Sequence, residues 1–220
     1  MKYKVSNEQM LLLGGLLHYE KVVGIENNIG DIGLEELGEK WRSCEQELIH
    51  KKLLYHTPDQ TLGIDKTFLI VLDSIMNPDI VFMIQDISNE EEMTYFYIKK
   101  NRAVCMKNND ECEIEVFEEL SLFMASLSAH LGLTPHVQCP MEIESVPFSR
   151  SSKIEVKKES KLVTGIKFKE GIDEIWVSMR TFSDEKGNYL IKYQQDKQKD
   201  EVLWIKGSVS VIMSQLFNFE

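Results

Sequence analysis

Asp79-Ile80-Val81-Phe82-Met83-Ile84, set off from what precedes it by Asn77-Pro78, is where the chain changes period and where its fold is decided. Upstream, the apolar residues recur at helical spacing. Within this stretch they run almost unbroken and are largely β-branched or aromatic, as in a strand. Met93–Ile98, Ala103–Met106 and Cys112–Val116 follow as strands, separated by charged or Asn-containing turns. The last alternates apolar and acidic residues, so one of its faces should be wet. A helix comes next, with Leu120, Phe123, Met124, Leu127 and Leu131 on one stripe and Gly132 as its C-cap.

The same succession returns in the second half. Leu162–Phe168, Glu174–Phe182, Asn188–Gln194 and Glu201–Lys206 read as strands, and Val209, Ile212, Met213, Leu216 and Phe219 mark a closing helix. Asp184-Glu185-Lys186-Gly187 reads as a hairpin turn in which Gly187 supplies the left-handed position. The copies align with Pro78 against Lys161, Glu92 against Asp173, Asn101 against Gly187 and Glu111 against Glu201. Hence the expected fold class is α+β. Two related subdomains, each a mostly antiparallel sheet of about four strands with a following helix, are related by a pseudo-two-fold, with extra N-terminal helices. The expected division is 1–133, a linker over 134–160 containing Pro135, Pro140, Pro147 and the serines Ser149, Ser151 and Ser152, and 161–220.

Ahead of the first copy, Ser6 and Gln9 fit a capping box, which predicts a helix over 7–18. Residues 24–33, with Asn27-Asn28 and Gly30-Asp31, read as a loop. A second helix is predicted over Leu34–Leu54, marked by Leu34, Leu37, Trp41, Leu48 and Leu53. Thr61–Ile64 reads as a short strand, and Asp65 caps a third helix stopped by Pro78.

Composition narrows the function. The chain has 220 residues, 43% hydrophobic and 28% charged, which is ordinary for a folded protein. Its net charge of −11 opposes binding to phosphate backbones. The basic run from Arg150 to Lys169 reads as a solvated linker and strand edge. Cys44, Cys105, Cys112 and Cys139 are irregularly spaced, as for free thiols in a reducing cytoplasm. The apolar run Met10–Leu17 lacks a small-residue cleavage site and falls short of the roughly 20 residues of a membrane span. The expected location is therefore cytoplasmic, with no membrane span.

Catalytic and cofactor signatures are missing from the pattern. His136 and Cys139 offer two ligands where structural zinc needs four. Ser126, Ser128 and His130 share a helix but lack a Gly-x-Ser-x-Gly elbow, and Ser183–Lys186 matches Ser-x-x-Lys only on a hairpin turn. Gly14-Gly15 has no following Lys-Ser or Lys-Thr to cradle phosphate. No catalytic, cofactor-binding or metal residue is assigned. Three function classes remain. One is a non-enzymatic protein-binding module. Another is an acidic winged-helix-type regulator, using 34–54 as recognition helix and 55–64 as wing. The third is a small enzyme with an unmarked site. For the first, the acidic stretch Asp86-Ile87-Ser88-Asn89-Glu90-Glu91-Glu92 supplies the partner-binding candidates Asp86, Glu90, Glu91 and Glu92. Its counterpart, Lys169–Asp173, is shorter. The same stretch also reads as a solvated turn that protects a sheet edge.

Several segments resemble the EspG-like chaperones associated with type VII (ESX) secretion. They are Glu8-Gln9-Met10-Leu11-Leu12-Leu13, Leu48-Ile49-His50-Lys51-Lys52-Leu53-Leu54, Leu72–Val81, and Trp176–Asp184 running into Gly187-Asn188-Tyr189. The segment Leu48–Leu54 is similar to the family's helix-ending L–x–x–x–G–L–L, with Lys52 in place of the usual Gly. The resemblance implies a two-subdomain α/β protein with quasi-two-fold symmetry and no catalysis. It would bind small helical secretion substrate proteins in the cytoplasm and keep them soluble before export. The chain does not look like the cargo itself. None of Trp41, Trp176 and Trp204 begins a Trp-x-Gly turn, and the Tyr-x-x-x-Asp at Tyr55–Asp59 is internal.

Overall fold

The computed structural model describes residues 1–19, 22–25, 33–87, 89–109, 111–147, 160–168, 174–193 and 201–219. In chain order the elements are β1 (Lys2–Val5), α1 (Asn7–Leu16), α2 (Leu34–His50), β2 (Leu54–His56), β3 (Leu62–Ile64), α3 (Lys66–Met76), β4 (Ile80–Asp86), β5 (Asn89–Lys99), β6 (Arg102–Asn108), β7 (Cys112–Phe117) and α4 (Leu120–His130). The second half carries β8 (Glu142–Pro147), β9 (Lys161–Phe168), β10 (Glu174–Asp184), β11 (Gly187–Tyr193), β12 (Glu201–Gly207) and α5 (Val209–Leu216). Both expected four-strand groups form, and they are continuous with each other. Their first strands pair antiparallel, from Ile80 opposite Lys167 to Asp86 opposite Lys161. The result is one ten-stranded antiparallel sheet in the order β1-β7-β6-β5-β4-β9-β10-β11-β12-β8, beside a small β2–β3 hairpin.

Strand alternation divides the core between the two faces. On one side Val81, Tyr97, Val104, Met106 and Ile114 pack against α1, α2 and α3 through Met10, Leu13, Leu48, Phe68, Leu72 and Ile75. On the other, Phe82, Phe96 and Cys105 pack against Phe123 and Leu127 of α4. That second core continues into the other half through Val163, Met179, Leu190 and Ile205, covered by Ile212, Met213 and Leu216 of α5. The sandwiching of β4 explains the unbroken apolar run that announced it. In β7 only alternate residues are buried, as expected. Glu113 and Glu115 point away from the first core and pair with Lys4 (2.5 Å) and Lys2 (3.4 Å) of β1.

Local chemistry sets the helix boundaries. The Ser6–Gln9 capping box forms reciprocally, with both hydrogen bonds at 3.1 Å. The Asp65 carboxylate accepts from the Phe68 amide at 2.9 Å. Three helices end in the same backbone device, where a left-handed residue lets two amides turn back to carbonyls of the last turn. After α1, Tyr19 N donates to Gly14 O (2.9 Å) and His18 N to Gly15 O (3.1 Å), with His18 at φ 60°. After α2, Leu53 N donates to Leu48 O and Lys52 N to Ile49 O, both at 2.9 Å, with Lys52 at φ 60°. After α4, Leu133 N and Gly132 N donate to Ser128 O and Ala129 O, both at 3.0 Å, with Gly132 at φ 67°. The second helix therefore stops at His50 rather than Leu54, because the reversal turns Leu53 and Leu54 into the core.

Other expectations need correction. Gly187 closes the predicted hairpin without adopting a left-handed φ. The Asp184 carboxylate holds that turn by accepting from the amides of Lys186 (2.8 Å) and Gly187 (3.2 Å). Room there is tight, since a Cβ would lie 3.0 Å from Cys139 Sγ and 3.1 Å from Lys206 Cγ, and both side chains would have to shift slightly. Lys2–Val5, where the sequence pattern predicts no element, adds β1 at one sheet edge. Within the expected linker, Glu142–Pro147 adds β8 at the other edge, where the proline at its end costs no interior ladder bond. Residues 148–159 of that linker and most of the predicted 24–33 loop lie outside the described residues. Among the described residues, no helix is long and apolar enough to cross a membrane.

Candidate functional site

The acidic stretch selected from the sequence lies at the tip of the β4–β5 hairpin, next to the pairing of the two halves. Gln85 faces Met93 across this hairpin, whereas Asp86 faces Asn89. Glu90, Glu91 and Glu92 thus follow the β5 backbone with no β4 residue opposite them. The register shifts there between Gln85 and Asp86, as at a β-bulge.

The four candidates are not equivalent. Asp86 sits opposite Lys161 in the β4–β9 register, and their side chains form an ion pair. The Ile87 amide donates to the Ser160 carbonyl at 3.4 Å. Asp86 is thereby engaged in joining the first half to the second. Glu92 is exposed. The side chains of Glu90 and Glu91, and the counterpart loop 169–173, lie outside the described residues.

Residues weighed for catalysis are occupied structurally. Ser128 Oγ donates to the Ala125 carbonyl at 2.9 Å. His130 Nδ1 lies 2.9 Å from the Ser126 carbonyl, and its ring packs edge-on against Phe96. Ser183 Oγ donates to Gly132 O at 2.8 Å. Burial pushes the Cys105 and Cys112 thiols up to about 12, so neither is a nucleophile near neutral pH. Among the described residues, no group of three or more His, Cys, Asp or Glu side chains is placed to hold a metal ion.

Two concave surfaces had no sequence signal, because each joins residues distant along the chain. A groove of about 820 Å³ runs between α4 and α5, lined by Met124, Val137, Met213 and Phe217 among others. A cleft of about 340 Å³ lies beyond the end of α3, where Ile75, Pro78 and Phe168 meet Trp176, itself 42% exposed.

Among the described residues, the fold is a broad antiparallel sheet carrying three helices on one face and two on the other. The particular likeness is to the type VII secretion system chaperone EspG5 of Mycobacterium tuberculosis, solved in complex with the PE25–PPE41 dimer. It has a TM-score of 0.59 and covers 97% of this chain and 94% of that one, at 9% identity. At that identity the likeness is one of fold. No protein-family model matches the chain, and no curated protein does.

Proposed function

We propose that this protein is a non-enzymatic cytoplasmic chaperone or adaptor. It binds a small helical substrate of a type VII secretion system and keeps it soluble before export. The observation that carries this reading is the fold likeness, over nearly the whole of both chains, to a type VII secretion system chaperone solved in complex with the PE25–PPE41 dimer. The strand order supports the finer picture of two subdomains, 1–133 and 161–220, about a pseudo-two-fold. From the β4–β9 junction it reads alike in both directions. Four consecutive strands lead outward, and each group is flanked by a strand from earlier in the chain, β1 or β8. Each group is also followed by a helix, α4 or α5, on the same face.

The partner contact belongs to the β4–β5 hairpin tip. Glu90, Glu91 and Glu92 are its recognition positions, supported by a register in which no β4 residue faces them, while Asp86 anchors the base through Lys161. Replacing Glu90, Glu91 and Glu92 together by Lys tests this. Affinity for a co-expressed helical export substrate should fall at least about tenfold, since reversed interface charge is costly. Unchanged affinity would reduce the tip to a solvated turn. Salt-dependent duplex DNA binding by the wild-type protein would instead favour the regulator reading.

A further inference from the structure

Helices α4 and α5 lie on the same face of the sheet, over the second core. Just past α4 the Gly132 carbonyl accepts from Ser183 Oγ, Ser183 faces Asn188, and Asn188 faces Gly207, just before α5. So α4 ends where α5 begins, and the two run antiparallel with the groove of about 820 Å³ between them. Neither helix contains an Asp, Glu, Lys or Arg, although these make up 28% of the chain. A helix covering a core ordinarily turns charged or polar residues to water. Here the outward residues are Leu122, 57% exposed, and the exposed Ala125, Ala129, Ser210 and Ser214. The chain leading into and out of both helices, 111–147 and 201–219, is described throughout.

Charge, banks and size together say what fits this groove. Among the described residues that line it, none is charged. A charged side chain laid there would be buried without a partner, so the inward face of an occupant is uncharged. Met124, Val137, Met213 and Phe217 offer that face apolar contacts. Ala125 and Ser128 share one flank of α4, and Ser210 and Ser214 one flank of α5; side chains this small on both banks let another helix approach closely. A helix about 10 Å across occupies about 80 Å³ per ångström of length, so the groove holds about two turns. Seen from outside, the α4–α5 face is roughly 16 by 20 Å, at about 1.5 Å per residue and about 8–10 Å between helices. That is about 300 Å², well short of the roughly 800 Å² per partner of a stable dimer interface. The face fits one helix rather than a second copy of the chain.

We propose that the groove receives one amphipathic helix of the export substrate, lying along α4 and α5 with an apolar, uncharged face inward. Its anchors, recurring every three and four residues, pack against Met124, Met213 and Phe217. The inference rests on the chaperone reading and adds a second surface to the hairpin tip. The tip reads charge, and the groove reads the shape and apolarity of a helix. A helix with charge on every face is rejected, because the groove offers no partner to either sign.

Cys139 gives a readout confined to the groove. It is half-exposed and lines it, whereas Cys44, Cys105 and Cys112 are buried. The test uses the full chain and the purified small helical export substrates encoded beside it. Saturating the protein with a bound substrate should slow the modification of Cys139 by a thiol reagent at least about tenfold. Ala125→Glu and Ser214→Glu, both at exposed positions on the banks, should each weaken substrate binding at least about tenfold. Ser214→Ala should leave affinity unchanged, and circular dichroism and urea midpoints should show all three variants folded. Cys139 labelled at its free rate in the saturated complex, or affinity unchanged in both Glu variants, would overturn the groove assignment and leave the chaperone reading standing. A mass of two chains that Ala125→Glu reduces to one would give the groove to a second copy and overturn it too. A wild-type protein that binds none of these substrates would overturn both readings together.

Discussion

Lys52→Gly is the most informative single stability test of the fold. Lys52 is exposed, at φ 60°, in the position that reverses the chain after α2. A left-handed conformation costs a non-glycine residue about 1–2 kcal/mol. Glycine removes that strain but loses more conformational freedom on folding, about 0.5–1 kcal/mol. The two hydrogen bonds of the motif, Leu53 N to Leu48 O and Lys52 N to Ile49 O, are made by backbone and survive the substitution. The difference is a net gain of about 0.5–1 kcal/mol. In a chain of this size that corresponds to a rise in Tm of about 1–4 °C. Urea denaturation and calorimetry on the pair of proteins measure it, and Lys52→Val should move both readings the other way. A Lys52→Gly variant less stable than the wild type would show that the helix does not end in this left-handed reversal.

The other helix ends respond by the same logic. His18→Gly should stabilise slightly, and Gly132→Ala should cost about 1 kcal/mol by urea midpoint. Tyr97 is buried, and its hydroxyl donates to the Val23 carbonyl at 2.7 Å. Tyr97→Phe strands that acceptor and should lower stability by about 1–2 kcal/mol. The cysteines make a pH prediction. Burial raises the Cys105 and Cys112 thiols from 9.0 to about 12. Between those values the unfolded chain has released protons that the folded chain still holds, so stability must fall as pH rises. The slope is at most about 1.4 kcal/mol per pH unit for each thiol. Urea titrations from pH 8 upward should show the decline, flattened in a Cys105→Ala, Cys112→Ala double variant. At pH 8 a thiol reagent should label half-exposed Cys139 well before the three buried cysteines.

Much of this fold was legible because its strands and helices announce themselves locally. The Ser6–Gln9 box, Asp65 and Gly132 mark their helix ends directly, and the β4 run marks the switch from helix to strand. The edge strands were harder. β1 has four residues and its lysines resemble an irregular leader until Glu113 and Glu115 are seen opposite them. β8 hides between Pro140 and Pro147 because an edge tolerates proline that a central strand would not. Lys52 and His18 concealed their helix ends, since neither is a usual left-handed residue. The acidic hairpin could be named from its charge, but its uneven role could not. Only the register shows that Asp86 faces Lys161 while Glu90, Glu91 and Glu92 face no residue of β4. The merging of two sheets into one is a long-range pairing with no local signature at all.

The most direct measurement is a calorimetric titration of the purified protein with purified small helical export substrates encoded beside it. A chaperone of this fold should bind one of them at fixed stoichiometry, and the complex should persist through size exclusion. Failure to bind any such substrate, with the protein folded by circular dichroism, would contradict the proposed function.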